Sequence, residues 1–205
     1  MRGLYLITND DPFEQLLSKL TAALATGQVA ILQYRRKKVA ADAQAAEVAQ
    51  IKALCEQYNT PFVINDNLDM AAEFGLGVHL GQSDGEITDA VARLPQGVII
   101  GRTCAGSVSL AKAAIAEGAS YVAFGAIYAT ATKPEAGCIG LDVVEAAASF
   151  SPVPICAIGG LSVENAAPVI AAGAGLCAVI SDILALSVEQ IPERVHAWAQ
   201  LFDRA

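Results

Sequence analysis

Charge is scarce in this sequence, aromatic residues are few, and long apolar runs are missing. Charged residues fill 17% of the 205 positions and aromatic residues 6%. No apolar stretch approaches the ~18 residues that a bilayer crossing needs. The N-terminus, MRGLYLITND, lacks the shape of a secretory signal. Cys55, Cys104, Cys138, Cys156 and Cys177 form no CxxC pair. Their odd number argues against a disulfide framework or a zinc site and for a reducing, cytoplasmic compartment. Only 13 Lys and Arg stand against 21 Asp and Glu, a net charge of -8. That balance disfavours nucleic acid as a partner, because such binding needs basic surface. A glycine-rich phosphate turn is also missing after the first strand-like run, LITNDD, which weighs against a doubly wound open sheet.

What the chain does contain is a regular alternation. With 54% hydrophobic residues it has the material for a substantial core and is expected to form one domain, 1–205. Short apolar or β-branched runs read as buried parallel strands at 4–8, 29–35, 61–66, 77–80, 98–103, 121–127, 154–160 and 176–181. Between and after them, helical stretches fall near 13–26, 42–58, 67–74, 86–93, 108–117, 142–149, 163–172 and 188–203. Three junctions, EFGLGVHL, EGASYVAF and AGAGLCAV, place Gly where a helix would end in a left-handed residue. Eight strand–helix pairs in a chain of this length predict an α/β fold, a single (β/α)8 TIM barrel. Active-site residues then belong at the C-terminal strand ends and in the loops that follow.

Polar residues gather at those positions. In ILQYRRKK, residues 31–38, an extended chain would put Gln33, Arg35 and Lys37 on one face and Tyr34, Arg36 and Lys38 on the other. Two cations and an amide at a barrel mouth suit a phosphate or diphosphate, although a basic run can also be plain solvated surface. In VINDN, Asn65 and Asp66 end an apolar strand, and Asp66 reads as either a Mg²⁺ ligand or the cap of the next helix. HLGQSD supplies Asp84, which could share that ion or simply form a turn; His79 reads as a structural strand residue. ATATKP brings Thr130, Thr132 and Lys133, a candidate lid over an anion or an ordinary loop. AIGGLS and VISD follow strands seven and eight. In this fold, loops at those two places hold phosphate through backbone N–H groups, and glycines there allow close approach. Two anion sites in one mouth suit an enzyme that joins two phosphorylated small molecules and releases diphosphate.

Taken in order, GLYLIT, QYRxK, IND, GVHLGQSD, ATATKP, AIGGL and AVIS resemble the thiamine-phosphate synthase (pyrophosphorylase) family over about residues 3–185. The resemblance implies a transferase of thiamine biosynthesis. It would condense 4-amino-5-hydroxymethyl-2-methylpyrimidine diphosphate with 4-methyl-5-(2-phosphoethyl)thiazole, or its carboxylated form. The products would be thiamine phosphate and diphosphate. Carried over by motif, Gln33, Arg35, Lys37 and Asn65 would bind the pyrimidine diphosphate, with Thr103 near its phosphates. Asp66 and Asp84 would ligate Mg²⁺. Lys133 would contact the leaving diphosphate, and Thr130, Thr132, Gly160, Ile180 and Ser181 the thiazole phosphate. Arg35, Lys37, Lys133 and Mg²⁺ would stabilise the departing charge. Members of the family often self-associate, and no motif here decides for or against a homo-oligomer.

Four features depart from the family pattern. Arg36 stands where an acid is usual. GRTCAG replaces a Ser-Thr-His pattern, and the segment between Asp66 and His79 is one residue short. Asp182 replaces a usual Ala, and a carboxylate there would repel a thiazole phosphate unless it turns away or caps a helix. Two rival readings share the barrel. A thiazole tautomerase is expected to carry His after the fifth strand, where this chain reads Thr103-Cys104-Ala105-Gly106. A non-catalytic phosphate-binding module would not need the diphosphate and metal set.

Overall fold

The computed structural model describes residues 1–130 and 137–204. Eight parallel strands close into a barrel in chain order: β1 (Gly3–Ile7), β2 (Val29–Tyr34), β3 (Phe62–Asn65), β4 (Gly77–Leu80), β5 (Ile100–Thr103), β6 (Tyr121–Phe124), β7 (Ile155–Ile158) and β8 (Leu176–Val179). The intervening helices are α1 (Phe13–Leu24), α2 (Ala41–Gln57), α3 (Leu68–Phe74), α4 (Ile87–Arg93), α5 (Val108–Ala116), α6 (Asp142–Ala148) and α7 (Ala167–Ala171). A short α8 (Ser181–Leu184) and a longer α9 (Ile191–Arg204) complete the chain. The expected (β/α)8 barrel is the fold.

Strand alternation divides the core in two. Inward-facing Tyr5, Ile7, Ile31, Val63, Tyr121, Ala123, Cys156, Leu176 and Ala178 fill the barrel. Their outward neighbours, such as Leu4, Leu6, Leu32, Ile64, Val78, Val122 and Val179, pack with Leu16, Leu20, Ile51, Val195 and Trp198 of the helices. Burial on both faces explains why the strands read as continuous apolar runs. The helix-ending glycines behave as expected: Gly75, Gly118 and Gly173 all have positive φ, and Gly75 is a left-handed cap whose N–H returns to the last turn of α3.

Several boundaries differ from the sequence-based expectation. The second strand ends at Tyr34, because the Arg35 N–H leaves the ladder and donates to Thr8 Oγ1 at 2.7 Å. The seventh helix begins at Ala167 and not near 163. Asn165 holds the preceding turn: its Oδ1 accepts from the Ser162 N–H and its Nδ2 donates to the Gly160 carbonyl, both at 2.8 Å. Such bonds offer backbone groups an alternative to the helix. The eighth strand stops at Val179, and Ser181 opens α8, where a continuing strand end was expected. The final helix starts at Ile191 and not near 188.

Candidate active site

The mouth at the C-terminal ends of β2 and β3 gathers one set of candidate residues. Arg35, Lys37, Asn65 and Asp66 line a common pocket. Lys37 Nζ lies 3.0 Å from Asp66 Oδ2, with the lysine side chain largely exposed and the carboxylate half-buried. The helix cap for α3 is Asn67, whose Oδ1 accepts from the Met70 N–H at 3.0 Å. Asp66 is therefore not spent on capping. It sits at φ 63°, a left-handed conformation that Asp and Asn tolerate better than most residues.

Asp84 comes back to the same place. It lies in a turn closed by its own N–H on the Gly81 carbonyl, at 3.3 Å. A Cβ on Gly81 would collide with Asp84 Oδ2 and stand 3.8 Å from Asp66 Oδ1. Both carboxylates thus converge over Gly81, the residue that follows β4 and has no side chain. Among the described residues no group of three or more His, Cys, Asp or Glu could hold a metal ion. Two carboxylates completed by phosphate oxygens and water nevertheless match what Mg²⁺ requires, and the donors fit that ion.

Arg36, the residue that departs from the pattern, borders the same pocket but sends its guanidinium into the strand–helix layer, as alternation predicts. It is buried between β2 and the helices. Its Nη1 donates to the Asp11 carbonyl at 2.9 Å, and its guanidinium lies 5.9 Å from the centre of the Phe13 ring. Arg36 Nε lies 3.0 Å from Glu47 Oε2, an ion pair without hydrogen-bond alignment. That oxygen instead accepts from the Tyr34 hydroxyl at 2.7 Å. Arg36 is therefore committed to the strand–helix layer and Lys38 lies exposed, leaving Arg35 and Lys37 for the mouth.

Gln33 is buried deeper, inside the barrel, and begins a chain of polar contacts that sequence reasoning missed. Its Nε2 donates to the Tyr5 hydroxyl at 2.7 Å. Tyr5 and Tyr121 share a hydrogen bond of 2.7 Å, and Tyr121 contacts His79 Nδ1 at 2.6 Å. His79 Nε2 meets Thr103 Oγ1 at 2.8 Å. An ordering that gives each of these contacts a donor and an acceptor runs from Gln33 through Tyr5 and Tyr121 to His79 Nδ1, then from Nε2–H to Thr103. Burial drives both tyrosine pKa values well above the ordinary range, so the hydroxyls keep their protons. The available signal was the alternation itself, since Tyr5, Gln33, His79, Thr103 and Tyr121 sit at strand positions.

Two further supports lie outside the barrel. Arg102 is buried and donates from Nη1 to the Gly85 carbonyl at 2.5 Å, bracing the turn that carries Asp84. Gln82 donates to the Thr103 carbonyl and ties that turn to β5.

The second set lies across the mouth, after β6, β7 and β8. Gly160 has φ 64°, and a Cβ there would strike the backbone of Ala129 and the side chain of Tyr128. The β6 and β7 loops are stitched together by Ile127 N–H on the Ile158 carbonyl at 2.9 Å and Tyr128 N–H on the Gly159 carbonyl at 3.1 Å. Gly160 and Ser181 are exposed, while Ile180 and Thr130 are partly buried. Thr132 and Lys133 lie outside the described residues. Asp182 points away from the mouth and makes no cap bond: its side chain meets Arg194 and Trp198 of α9.

Comparison with known proteins agrees with this architecture. The family described as thiamine monophosphate synthase matches residues 4–183. A thiamine-phosphate synthase of Aromatoleum aromaticum is 43% identical over 204 residues, covering 99% of this chain and 97% of that one. The solved thiamine phosphate pyrophosphorylase from Pyrococcus furiosus superposes with a TM-score of 0.86 at 26% identity, covering 98% of this chain and 96% of its own. A thiamine phosphate pyrophosphorylase structure from Bacteroides thetaiotaomicron, at 18% identity and TM-score 0.68 over 98% of each chain, shares the fold. With a family match over most of its length and a relative of that identity, this chain belongs to the thiamine monophosphate synthase family, transferases of thiamine biosynthesis.

Proposed function

We propose that the chain condenses 4-amino-5-hydroxymethyl-2-methylpyrimidine diphosphate with 4-methyl-5-(2-phosphoethyl)thiazole, or its carboxylated form, giving thiamine phosphate and diphosphate. The observation that carries this reading is the convergence of Asp66 and Asp84 over Gly81, beside Arg35 and Lys37, in a mouth whose far side is the β7–β8 loop pair. Asp66 and Asp84 would hold Mg²⁺, which would supply charge neutralisation to the diphosphate.

Arg35 and Lys37 hold the diphosphate oxygens, and Asn65 and Thr103 flank them. Lys37, paired with Asp66 and largely exposed, is within reach of a diphosphate bound beside that carboxylate. Lys133 meets the leaving group. Gln33, inside the barrel and uncharged, orients the pyrimidine end, held in place by Tyr5. As the carbon–oxygen bond to diphosphate breaks, the pyrimidine amino group delocalises the cation, and the thiazole nitrogen attacks the freed methylene. Thr130, Thr132, Gly160, Ile180 and Ser181 place the thiazole by its phosphate. The chain supplies orientation, charge and exclusion of water, and needs no protein nucleophile.

The whole chain, 1–205, acts as the catalytic domain in this reading, in a reducing cytoplasm that suits its free cysteines. Among the described residues no helix is long and apolar enough to cross a membrane.

The direct test is an assay with both substrates, with and without Mg²⁺, following thiamine phosphate by mass and diphosphate by ³¹P NMR. Equimolar formation of the two products, lost on chelation, is the expected result. Absence of thiamine phosphate at saturating substrates and Mg²⁺ overturns the reading.

A further inference from the structure

Asp182 is the departure with the most obvious cost, a carboxylate one residue beyond Ser181 at the mouth. Its side chain is only 7% exposed and makes three contacts. Oδ2 accepts from Trp198 Nε1 at 2.7 Å and from Arg194 Nε at 3.0 Å, while Oδ1 accepts from Arg194 Nη2. The same guanidinium then reaches out to the β7 loop. Arg194 Nη1 and Nη2 donate to the two oxygens of Glu164 at 2.6 and 2.7 Å, a two-pronged pair. The residue after Glu164 is Asn165, whose side chain closes the turn back onto the Gly160 carbonyl. The far end of α8 is also held, by buried Lys19, which donates to the Leu184 carbonyl at 2.5 Å and to Asp11 Oδ2 at 2.9 Å.

Read in order, the contacts run Ser181–Asp182–Arg194–Glu164–Asn165–Gly160. One guanidinium of α9, outside the barrel, bridges the two loops proposed to hold the thiazole phosphate. We propose that Arg194, held by Asp182 and Glu164, is a positioning residue: it fixes the spacing of the β7 and β8 loops so that they accept a phosphate monoester. The proposal rests on that assignment of the two loops. It also gives the buried carboxylate at 182 a purpose. Asp182 orients Arg194, and pairing with that cation lessens the repulsion an unpaired carboxylate would exert on a phosphate. A lysine could replace the charge of Arg194 but not its planar fork, which meets two carboxylates at once.

Three variants separate this role from plain stability. Glu164→Gln removes the charge and one of the two acceptors at the exposed end of the bridge and leaves the Asp182 contacts intact. Arg194→Lys keeps the charge, and Arg194→Met removes it. The expected result is a KM for the thiazole phosphate raised about fivefold or more in Glu164→Gln and Arg194→Met, in the range by which residues off a ligand modulate its binding. Arg194→Lys should fall between, and the KM for the pyrimidine diphosphate should stay within about twofold throughout, since its contacts lie across the mouth. Equal rises in both KM values, or no rise in either for folded variants, overturn the proposal.

Inorganic phosphate provides an arm that does not need turnover. Trp198 is the only tryptophan, and its indole is bonded to Asp182, so its fluorescence reports on α8. Phosphate should perturb that emission in the wild type and bind more weakly in Glu164→Gln. No phosphate response in the wild type, or identical binding in the variant, sinks the positioning role. A wild type that binds phosphate with the expected variant loss, yet forms no thiamine phosphate, sinks the reaction assignment and leaves the positioning role standing.

Discussion

Lys37 Nζ and Asp66 Oδ2 face each other at 3.0 Å on one side of the mouth, one from beyond β2 and the other from just after the neighbouring β3. The lysine is more than half exposed, so the pair is screened and contributes little to stability, about 0–1 kcal/mol. Its interest is functional, because it brings a cation together with the carboxylate proposed to bind the metal. Asp66→Asn keeps a residue suited to φ 63° while removing the charge. We expect turnover to fall by about 100-fold or more, with apparent Mg²⁺ affinity lost and melting temperature nearly unchanged. Mg²⁺ titration of activity, with circular dichroism melting as the control, checks this. Normal turnover by a folded Asp66→Asn protein would remove Asp66 from the metal site.

Gly81 is the point over which Asp66 and Asp84 converge, and adding one methyl group there drives Asp84 off its position. Gly81 is not among the residues with positive φ, so Ala fits its backbone. Gly81→Ala should therefore fold, yet need about 10- to 100-fold more Mg²⁺ for half-maximal rate. An unchanged Mg²⁺ dependence would mean that Asp84 does not need its present position.

Legibility in the sequence followed physical scale. Strands buried on both faces announce themselves as apolar runs, and the polar residues at and beyond their C-terminal ends, Arg35, Lys37, Asp66 and Asp84 among them, mark the mouth. Alternation also explains Arg36, which local sequence could place on the far face but could not pair with Glu47, because that partner lies on α2. The contact between Tyr5 and Tyr121 spans 116 positions, and each tyrosine alone reads as core. The four-residue helix α8 is too short to show a period. The turn held by Asn165 depends on side chain–backbone bonds that no pattern of hydrophobicity records.

Tyr121 is the hub of the interior chain, with hydrogen-bond contacts to Tyr5 and His79. Tyr121→Phe keeps the ring and removes the hydroxyl, leaving buried polar groups with one partner fewer. The expected cost is about 1–3 kcal/mol of unfolding free energy, read from urea denaturation. If Gln33 and Thr103 take their positions from this chain, the variant should also raise the KM for the pyrimidine diphosphate. Unchanged stability and KM would show that the hydroxyl does not organise the barrel interior.

Glu164 makes an acid-sensitive link. Hydrogen bonds from Arg194, then from Ser162 and its own backbone, lower its pKa from 4.5 to about 2. Because the folded value is depressed, its contribution is present above 4.5 and is lost as pH falls through the folded value. The window of loss thus lies between pH 4.5 and about 2. Side-chain carboxyl NMR should find Glu164 titrating near the bottom of that window in the native protein and returning toward 4.5 in Arg194→Met. An ordinary titration in the native protein would mean that the bridge does not persist in solution.

The cysteines divide by burial, and their reactivity should divide with them. Cys55, Cys104, Cys156 and Cys177 are buried, whereas Cys138 is exposed in the segment between β6 and α6. Burial pushes the Cys55 and Cys177 thiols up to about 12 and Cys104 up to about 11; Cys156 is also raised well above its ordinary value by burial, then by Cys177. Thiolate, the reactive form, is therefore scarce at all four sites near neutral pH. Ellman's reagent should modify one thiol rapidly in the native protein and the other four only on unfolding. Cys138→Ser should abolish the rapid phase. A rapid phase of two or more thiols, or one that survives Cys138→Ser, would mean that the barrel opens far more readily than its packing implies.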